Sequence, residues 1–140
     1  MIELEKAMVK PAASDCPWEV ERNSKFFPYF QHAIGAVDGT HIPAHVPASL
    51  AASFRNRKGF ISQNVLLVCS FDALYTYVLP GWEGSAHDGR VLSDAMLKGF
   101  DIPDGKYYLA DAGYALKKGY LTPYRGVRYH LREQYQSRFK

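Results

Sequence analysis

The chain has 140 residues, a formal net charge of +3, 47% hydrophobic residues and 14% aromatic residues. This length suits one domain with a single core, and the composition excludes an intrinsically disordered chain. No apolar run reaches membrane-spanning length, and the first residues lack a secretory signal pattern. With only Cys16 and Cys69, we expect a reduced intracellular protein without a membrane partner, in which Cys69 is a buried core thiol.

The first half of the chain predicts three strands behind a peripheral segment. Residues 1–31 are expected to be peripheral, with a short helix at Met1–Val9. The apolar run Ala33–Val37 predicts a central strand that leads directly into Asp38. Ile61–Ser70 predicts the second strand, and Leu74–Leu79 predicts its hairpin partner, ended by Pro80-Gly81.

The second half predicts a helix and a fourth strand. Asp88–Leu97 has helical apolar spacing, with Ser85 or Asp88 as the expected cap and Gly99 as the expected end. Lys106–Ala110 predicts a short strand that ends at Asp111. Val127–Glu133 is expected to be extended or a hairpin.

The predicted order is therefore strand, strand, strand, helix, strand, an α/β arrangement. Asp38 and Asp111 each follow an apolar run, and a buried carboxylate is costly unless something compensates it. If the two strands are neighbours, the carboxylates meet at one edge, where a divalent cation is the usual compensation. Hard oxygen ligands favour Mg²⁺ or Mn²⁺ over zinc.

Each acidic residue also has a structural interpretation. Asp38 and Asp111 could be turn aspartates that bind their own backbone. Asp88 could simply satisfy free amides at a helix start. His87 could be a ligand, an acid–base group or a surface residue. The matched placement of Asp38 and Asp111 favours a metal site.

Basic residues cluster in two places. The first cluster is Arg55, Arg57 and Lys58, and the second follows Asp111, where seven basic residues include Arg125 and Arg128 and the only acid is Glu133. Basic clusters beside carboxylates suggest a polyanionic substrate, although each cluster alone could be a solvated surface.

Five segments together carry a family resemblance that covers roughly residues 32–133. The chain resembles the PIF/Harbinger-type DDE transposases, which include the Harbinger transposase-derived nucleases. The segments are Gly35–Ile42, Phe54–Asn64, Gly81–Leu92, Tyr107–Tyr114 and Pro123–Leu131.

The resemblance implies an RNase H-like mixed sheet with flanking helices and metal-dependent cleavage of DNA in the nucleus. Asp38 and Asp111 match the first two acids of the family triad, and Asp88 matches a further acidic position of the metal site. The implied cofactor is Mg²⁺ or Mn²⁺. Arg55, Arg57, Lys58, Arg125 and Arg128 are the candidate DNA-binding residues, and a separate DNA-binding partner protein is an option.

The chain departs from the family pattern at its C-terminus. The triad glutamate of the family lies on a helix downstream of the Asp-Ala-Gly-Tyr motif, whereas Glu133 lies in a different motif. We therefore expect residues 32–140 to be a partial catalytic domain, incomplete at the C-terminus, with impaired cleavage. The alternatives are a non-catalytic remnant that binds metal or DNA and a pseudogene product without a role.

Overall fold

A computed structural model of the protein describes residues 9, 15–124 and 126. Its centre is a mixed five-stranded sheet in the order β3-β2-β1-β4-β5. The strands are β1 (Ala33–Pro43), β2 (Ser62–Cys69), β3 (Tyr75–Glu83), β4 (Tyr107–Ala110) and β5 (Tyr120–Leu121). Strands β1, β2 and β3 pair antiparallel, whereas β4 is parallel to β1 and β5 is parallel to β4. This architecture confirms the expected α/β class and the RNase H-like fold. The predicted order of strands and helix along the chain is confirmed as well.

Four short helical segments flank this sheet in the described residues. They are α1 (Trp18–Glu21), a 3₁₀ turn (Ala48–Leu50), α2 (Ala51–Phe54) and α3 (Asp88–Leu97). Neither the helical segment at 48–54 nor β5 was predicted. The predictions at Met1–Val9, apart from Val9 itself, and at Val127–Glu133 lie outside the described residues.

Helix α3 has the predicted bounds but not the predicted cap. Gly99, at φ +95°, ends it in a Schellman motif, with the Phe100 amide donating to the Ala95 carbonyl and the Gly99 amide donating to Met96. The N-cap is His87, and no side chain caps the helix. The prediction of Ser85 or Asp88 as the cap was therefore wrong, because the Asp88 carboxylate accepts a hydrogen bond from a neighbouring strand instead.

Strand β1 continues through Asp38 to Pro43, so the prediction that the strand ends at Asp38 was wrong. The reason is that β2 pairs with β1 as far as Pro43, whereas β4 pairs with it only as far as Val37. Asp38 therefore marks the point where one neighbouring strand stops and the other continues.

Strand β3 passes through Pro80-Gly81, which was predicted to end it. The strand lies at the edge of the sheet, where a proline loses no ladder hydrogen bond. The register shifts between Asn64 and Leu66, opposite Trp82 and Leu79, and Gly81 has φ +97°. An edge position and a bulge together accommodate both residues.

The core lies between the sheet and α3, which buries Val91, Leu92 and Ala95 against it. The other buried members of this cluster are Ile34, Val37, Leu66, Val68, Leu79, Phe100, Tyr108, Tyr114 and Tyr120. Cys69 is only half-buried, which corrects the expectation of a buried core thiol, because it is the last residue of β2. Within the described part of the chain, no helix combines the length and apolarity needed to cross a bilayer.

Gly84 offers a test of this packing. A methyl group on Gly84 would lie 2.4 Å from the backbone oxygens of both Phe54 and Ser62. Backbone atoms cannot step aside, so Gly84→Ala should lower the free energy of unfolding by roughly 1–3 kcal/mol in a urea titration. Gly89→Ala is the matched control, since nothing lies within 4 Å of its added methyl group. The control should be neutral or slightly stabilising because Gly89 is helical, and equal losses in both variants would contradict the packing.

Candidate active site

The register of two parallel strands brings Asp38 and Asp111 together. Val37 of β1 pairs with Ala110 of β4, and the two aspartates are the next residue of each chain segment. Each carboxylate also accepts a local backbone hydrogen bond. Asp38 Oδ1 accepts from the Gly39 amide at 2.8 Å, and Asp111 Oδ1 accepts from the Gly113 amide at 2.8 Å. These bonds fit the turn interpretation as well as a ligand role, so the convergence of the acids carries the functional argument.

Asp88 joins this pair from the first turn of α3. Its Oδ1 accepts a hydrogen bond from Asn64 Nδ2 at 3.0 Å. A Cβ on Gly39 would lie 2.5 Å from Asp88 Oδ1. Asp88 therefore lies directly against β1, beside Asp38, and only a glycine at position 39 allows this approach.

The three aspartates line one cavity of about 370 Å³. Arg57 and Lys58 also line this cavity and form what we call its basic wall. The remaining lining residues are Gly39, His41, Asn56, Gly84, Ser85, Ala86 and His87. Acidic and basic side chains thus face a common space that is large enough for a phosphate group and its counter-ions.

The acids influence one another electrostatically. Partial burial raises the pKa of Asp38, the hydrogen bond from the Gly39 amide opposes that rise, and the charges of Asp111 and Asp88 add to it. Burial also raises the pKa of Tyr114, and the same three carboxylates raise it further. The Tyr114 hydroxyl is buried and has no hydrogen-bond partner among the described residues. A concentration of negative charge of this kind favours a bound cation.

A buried polar network holds the basic wall in place. Asn56 Nδ2 donates to Ser62 Oγ at 3.0 Å, and Ser62 Oγ lies 3.1 Å from His41 Nδ1. Asn56 Oδ1 accepts from the Lys58 amide at 3.0 Å. The 56–60 loop is therefore tied to strands β1 and β2.

The predicted DNA-binding residues do not all share this wall. Arg57 lines the cavity, and its Nη2 donates to His87 with Nε2 at 2.6 Å. Arg55 donates to the Gly59 carbonyl at 2.8 Å and does not line the cavity, so it braces its own loop. Arg125 and Arg128 lie outside the described residues.

Two aromatic residues, Tyr114 and Trp82, pack against the core and do not line the cavity. Tyr114 is 1% exposed within the core. Trp82 packs against the core and donates through Nε1 to Asp94 Oδ2 at 2.8 Å.

Sequence reasoning also missed the buried polar residues Asn56, Ser62 and Asn64. Ser62 and Asn64 alternate along β2 with the same period as Leu66 and Val68, so all four share one face. Polar residues on an otherwise apolar strand face were the available signal.

The donor set fits a hard divalent cation, since it consists of three carboxylates around a partly buried cavity. Among the residues that the structure describes, however, no three His, Cys, Asp or Glu side chains are gathered closely enough to hold an ion together. The acids share a cavity without a preassembled three-ligand arrangement.

Comparison with known proteins decides the family. The family described as DDE superfamily endonuclease matches residues 37–139, about three-quarters of the chain. The chain belongs to this family. The match includes Asp38, Asp88 and Asp111, and the Harbinger-type resemblance is confirmed.

Curated relatives of this DDE-family chain carry the name "Putative nuclease HARBI1". The protein from Rattus norvegicus is 36% identical over 93 residues, and those from Mus musculus and Homo sapiens are 33% and 32% identical over the same length. Each match covers 64% of this chain and 27% of the relative. The chain thus spans about a quarter of the length of these relatives. No solved structure matches it.

Proposed function

We propose that this domain is a transposase-derived endonuclease domain that cleaves phosphodiester bonds of DNA with the help of Mg²⁺ or Mn²⁺. The observation that carries the proposal is one cavity lined both by three acids, Asp38, Asp88 and Asp111, and by two basic residues, Arg57 and Lys58. The family membership and the nuclease name of the relatives support the substrate class.

Each side chain has a role in this proposal. Asp38, centrally placed next to both other acids, would hold the cation site together, and Asp88 and Asp111 would complete it. A bound divalent cation would activate the attacking oxygen and stabilise the leaving oxygen. Arg57 and Lys58 would bind the phosphate backbone and orient it toward the acids.

The family resemblance suggests that the domain acts on DNA in the nucleus, with a separate DNA-binding protein as its partner. The charged side chains of the cavity are suited to contact the phosphate backbone of DNA. Among the described residues, the cavity has no element that would enter a groove of DNA and read the bases. Binding through such charge is largely blind to base sequence. Target choice would then come from the partner.

A plasmid assay tests the proposal. Purified protein should nick supercoiled DNA when Mg²⁺ or Mn²⁺ is present, and a chelator should abolish the nicking. Absence of nicking above an Asp38→Ala control would overturn the catalytic assignment. Cation binding and DNA binding without nicking would instead support a non-catalytic remnant, the alternative function.

The basic wall makes a separate prediction about DNA affinity. Arg57→Ala combined with Lys58→Ala should weaken binding to duplex DNA, because each lost phosphate contact removes one released counter-ion. The slope of log K against log salt should fall by about 2, measured by fluorescence anisotropy at several salt concentrations.

Lys106→Ala with Lys118→Ala is the charge-matched control, since both lysines line a different cavity. The control should leave the salt slope nearly unchanged. Equal effects in the two double variants would show that overall charge, rather than the cavity wall, binds DNA.

A further inference from the structure

Asn64 is a buried polar residue for which the proposed cleavage leaves no role. It lies on β2, opposite His41 of β1, and is 1% exposed. A polar side chain at such a position is costly unless its hydrogen bonds are made. Its partners therefore indicate what it does.

Both amide protons of Asn64 point at acceptors beside the acidic cavity. Nδ2 donates to the Ala86 carbonyl at 3.2 Å and to Asp88 Oδ1 at 3.0 Å. The opposite orientation of the amide would place its oxygen against two other oxygens, so the contacts fix the assignment of nitrogen and oxygen. The bond to a carboxylate is the stronger class of hydrogen bond.

Strand β1 also lies close to Asp88 Oδ1, at Gly39. A Cβ on Gly39 would lie 2.5 Å from Asp88 Oδ1 and 3.2 Å from Asn64 Oδ1, so Asp88 and Asn64 meet over the glycine of β1. With Oδ1 held by Asn64 and β1, Oδ2 is the oxygen of Asp88 left to serve a ligand.

The amide oxygen of Asn64 is buried and accepts no hydrogen bond from the part of the chain that the structure describes. Buried acceptors in proteins are nearly always paired with protein or with an ordered water. This acceptor lies next to Asp88 and Gly39, both of which line the cavity. Because this oxygen is closed off from solvent and Asn64 does not line the cavity, Asn64 reaches the site through Nδ2 and its bond to Asp88.

We propose that Asn64 is a positioning residue for the divalent-cation site, which fixes the Asp88 carboxylate through Nδ2. The inference rests on the proposed function, because it assigns Asn64 a role in the same cation site. Residues that orient ligands in this way typically change metal affinity by 10–100-fold when they are replaced.

Calorimetric titration with Mn²⁺ tests the inference without any assay of cleavage. Asn64→Leu, which keeps the branching and the number of heavy atoms and removes the donor, should raise the Mn²⁺ dissociation constant about tenfold. When Asn64→Leu is introduced into the Asp88→Asn variant, the Mn²⁺ dissociation constant should change less than twofold, because Asn64 acts through Asp88. If Asn64→Leu does not fold, Asn64→Ser carries the same expectation.

Trp82→Phe is the matched control, since Trp82 also donates a hydrogen bond from the sheet to a carboxylate of α3, Asp94, but does not line the cavity. It should lower the melting temperature without weakening Mn²⁺ binding. Wild-type affinity in Asn64→Leu, or equal losses in the presence and absence of Asp88, would overturn the positioning role alone. No Mn²⁺ binding by the wild-type protein would overturn the proposed function together with this inference.

Discussion

Replacing Asp38 by asparagine should reduce metal-dependent nicking of supercoiled DNA by at least about a hundredfold. Metal ions supply several kcal/mol of transition-state stabilisation, and each 1.4 kcal/mol is a factor of ten. Asp38 lies beside both other acids, because the pairing of Val37 with Ala110 places Asp111 next to it and Asp88 lies against Gly39. Loss of this carboxylate should therefore disrupt the whole cation site rather than one ligand.

Asp104→Asn is the control, because it makes the same change of charge and the variant protein is prepared in the same way. Asp104 is exposed and lines a separate cavity with Lys106 and Lys118. Its replacement should leave the nicking rate unchanged, measured as the rate at which the supercoiled form disappears. Equal rates for Asp38→Asn and the wild type would show that cleavage arises elsewhere or from a contaminant.

Saturating Mn²⁺ should raise the melting temperature of the protein on the order of 10 °C. A ligand at a hundred times its dissociation constant stabilises the folded state by about 2.7 kcal/mol, and a domain of this size gains roughly 3–5 °C per kcal/mol. The folded site gathers carboxylates that the unfolded chain keeps apart, so the cation should bind the folded state preferentially. Differential scanning fluorimetry at increasing Mn²⁺ concentrations measures the shift.

The pH dependence of the metal-free protein follows from the same charges. The pKa of Asp38 is raised above its ordinary value of 3.8, so its ionised form destabilises the folded state at neutral pH. The contribution of Asp38 to stability should therefore improve as the pH falls from the raised pKa toward 3.8. Asp38→Asn should melt slightly higher than the wild type at pH 7 without metal, and Mn²⁺ should not raise it further.

Two results would contradict this account of stability. One is a wild-type melting temperature that Mn²⁺ does not move. The other is an Asp38→Asn protein that melts lower than the wild type at pH 7 and still gains stability from Mn²⁺, which would make Asp38 a structural residue.

Apolar periodicity predicted the main elements of this fold because burial sets that pattern directly. The bounds of α3 followed from Val91, Leu92 and Ala95, all of which are buried. The ends of β1 and β3 did not follow, since strand pairing, and not the local sequence, decides where a strand stops. Pro80 breaks a central strand but is accommodated at a sheet edge, and the sequence alone does not reveal which strand is the edge.

The sequence predicted the acidic residues of the candidate site better than it predicted the residues that surround them. Asp38 and Asp111 stood out because each follows an apolar run, and the register at Val37 and Ala110 brings them together. Arg55 and Arg57 are two residues apart and chemically alike, yet one braces its loop and the other lines the cavity. The role inferred for Asn64 depends on its contacts with other parts of the fold, which the sequence alone does not reveal.

The location of bound Mn²⁺ tests most directly the claim that Asp38, Asp88 and Asp111 form one cation site. Paramagnetic Mn²⁺ broadens the amide signals of nearby residues in a ¹⁵N NMR spectrum. Substoichiometric Mn²⁺ should broaden the signals of Gly39, Asp88 and Gly113 first, since these amides adjoin the three carboxylates. Broadening confined to other acidic positions, such as Asp101 and Asp104, or no selective broadening at all, would contradict the account.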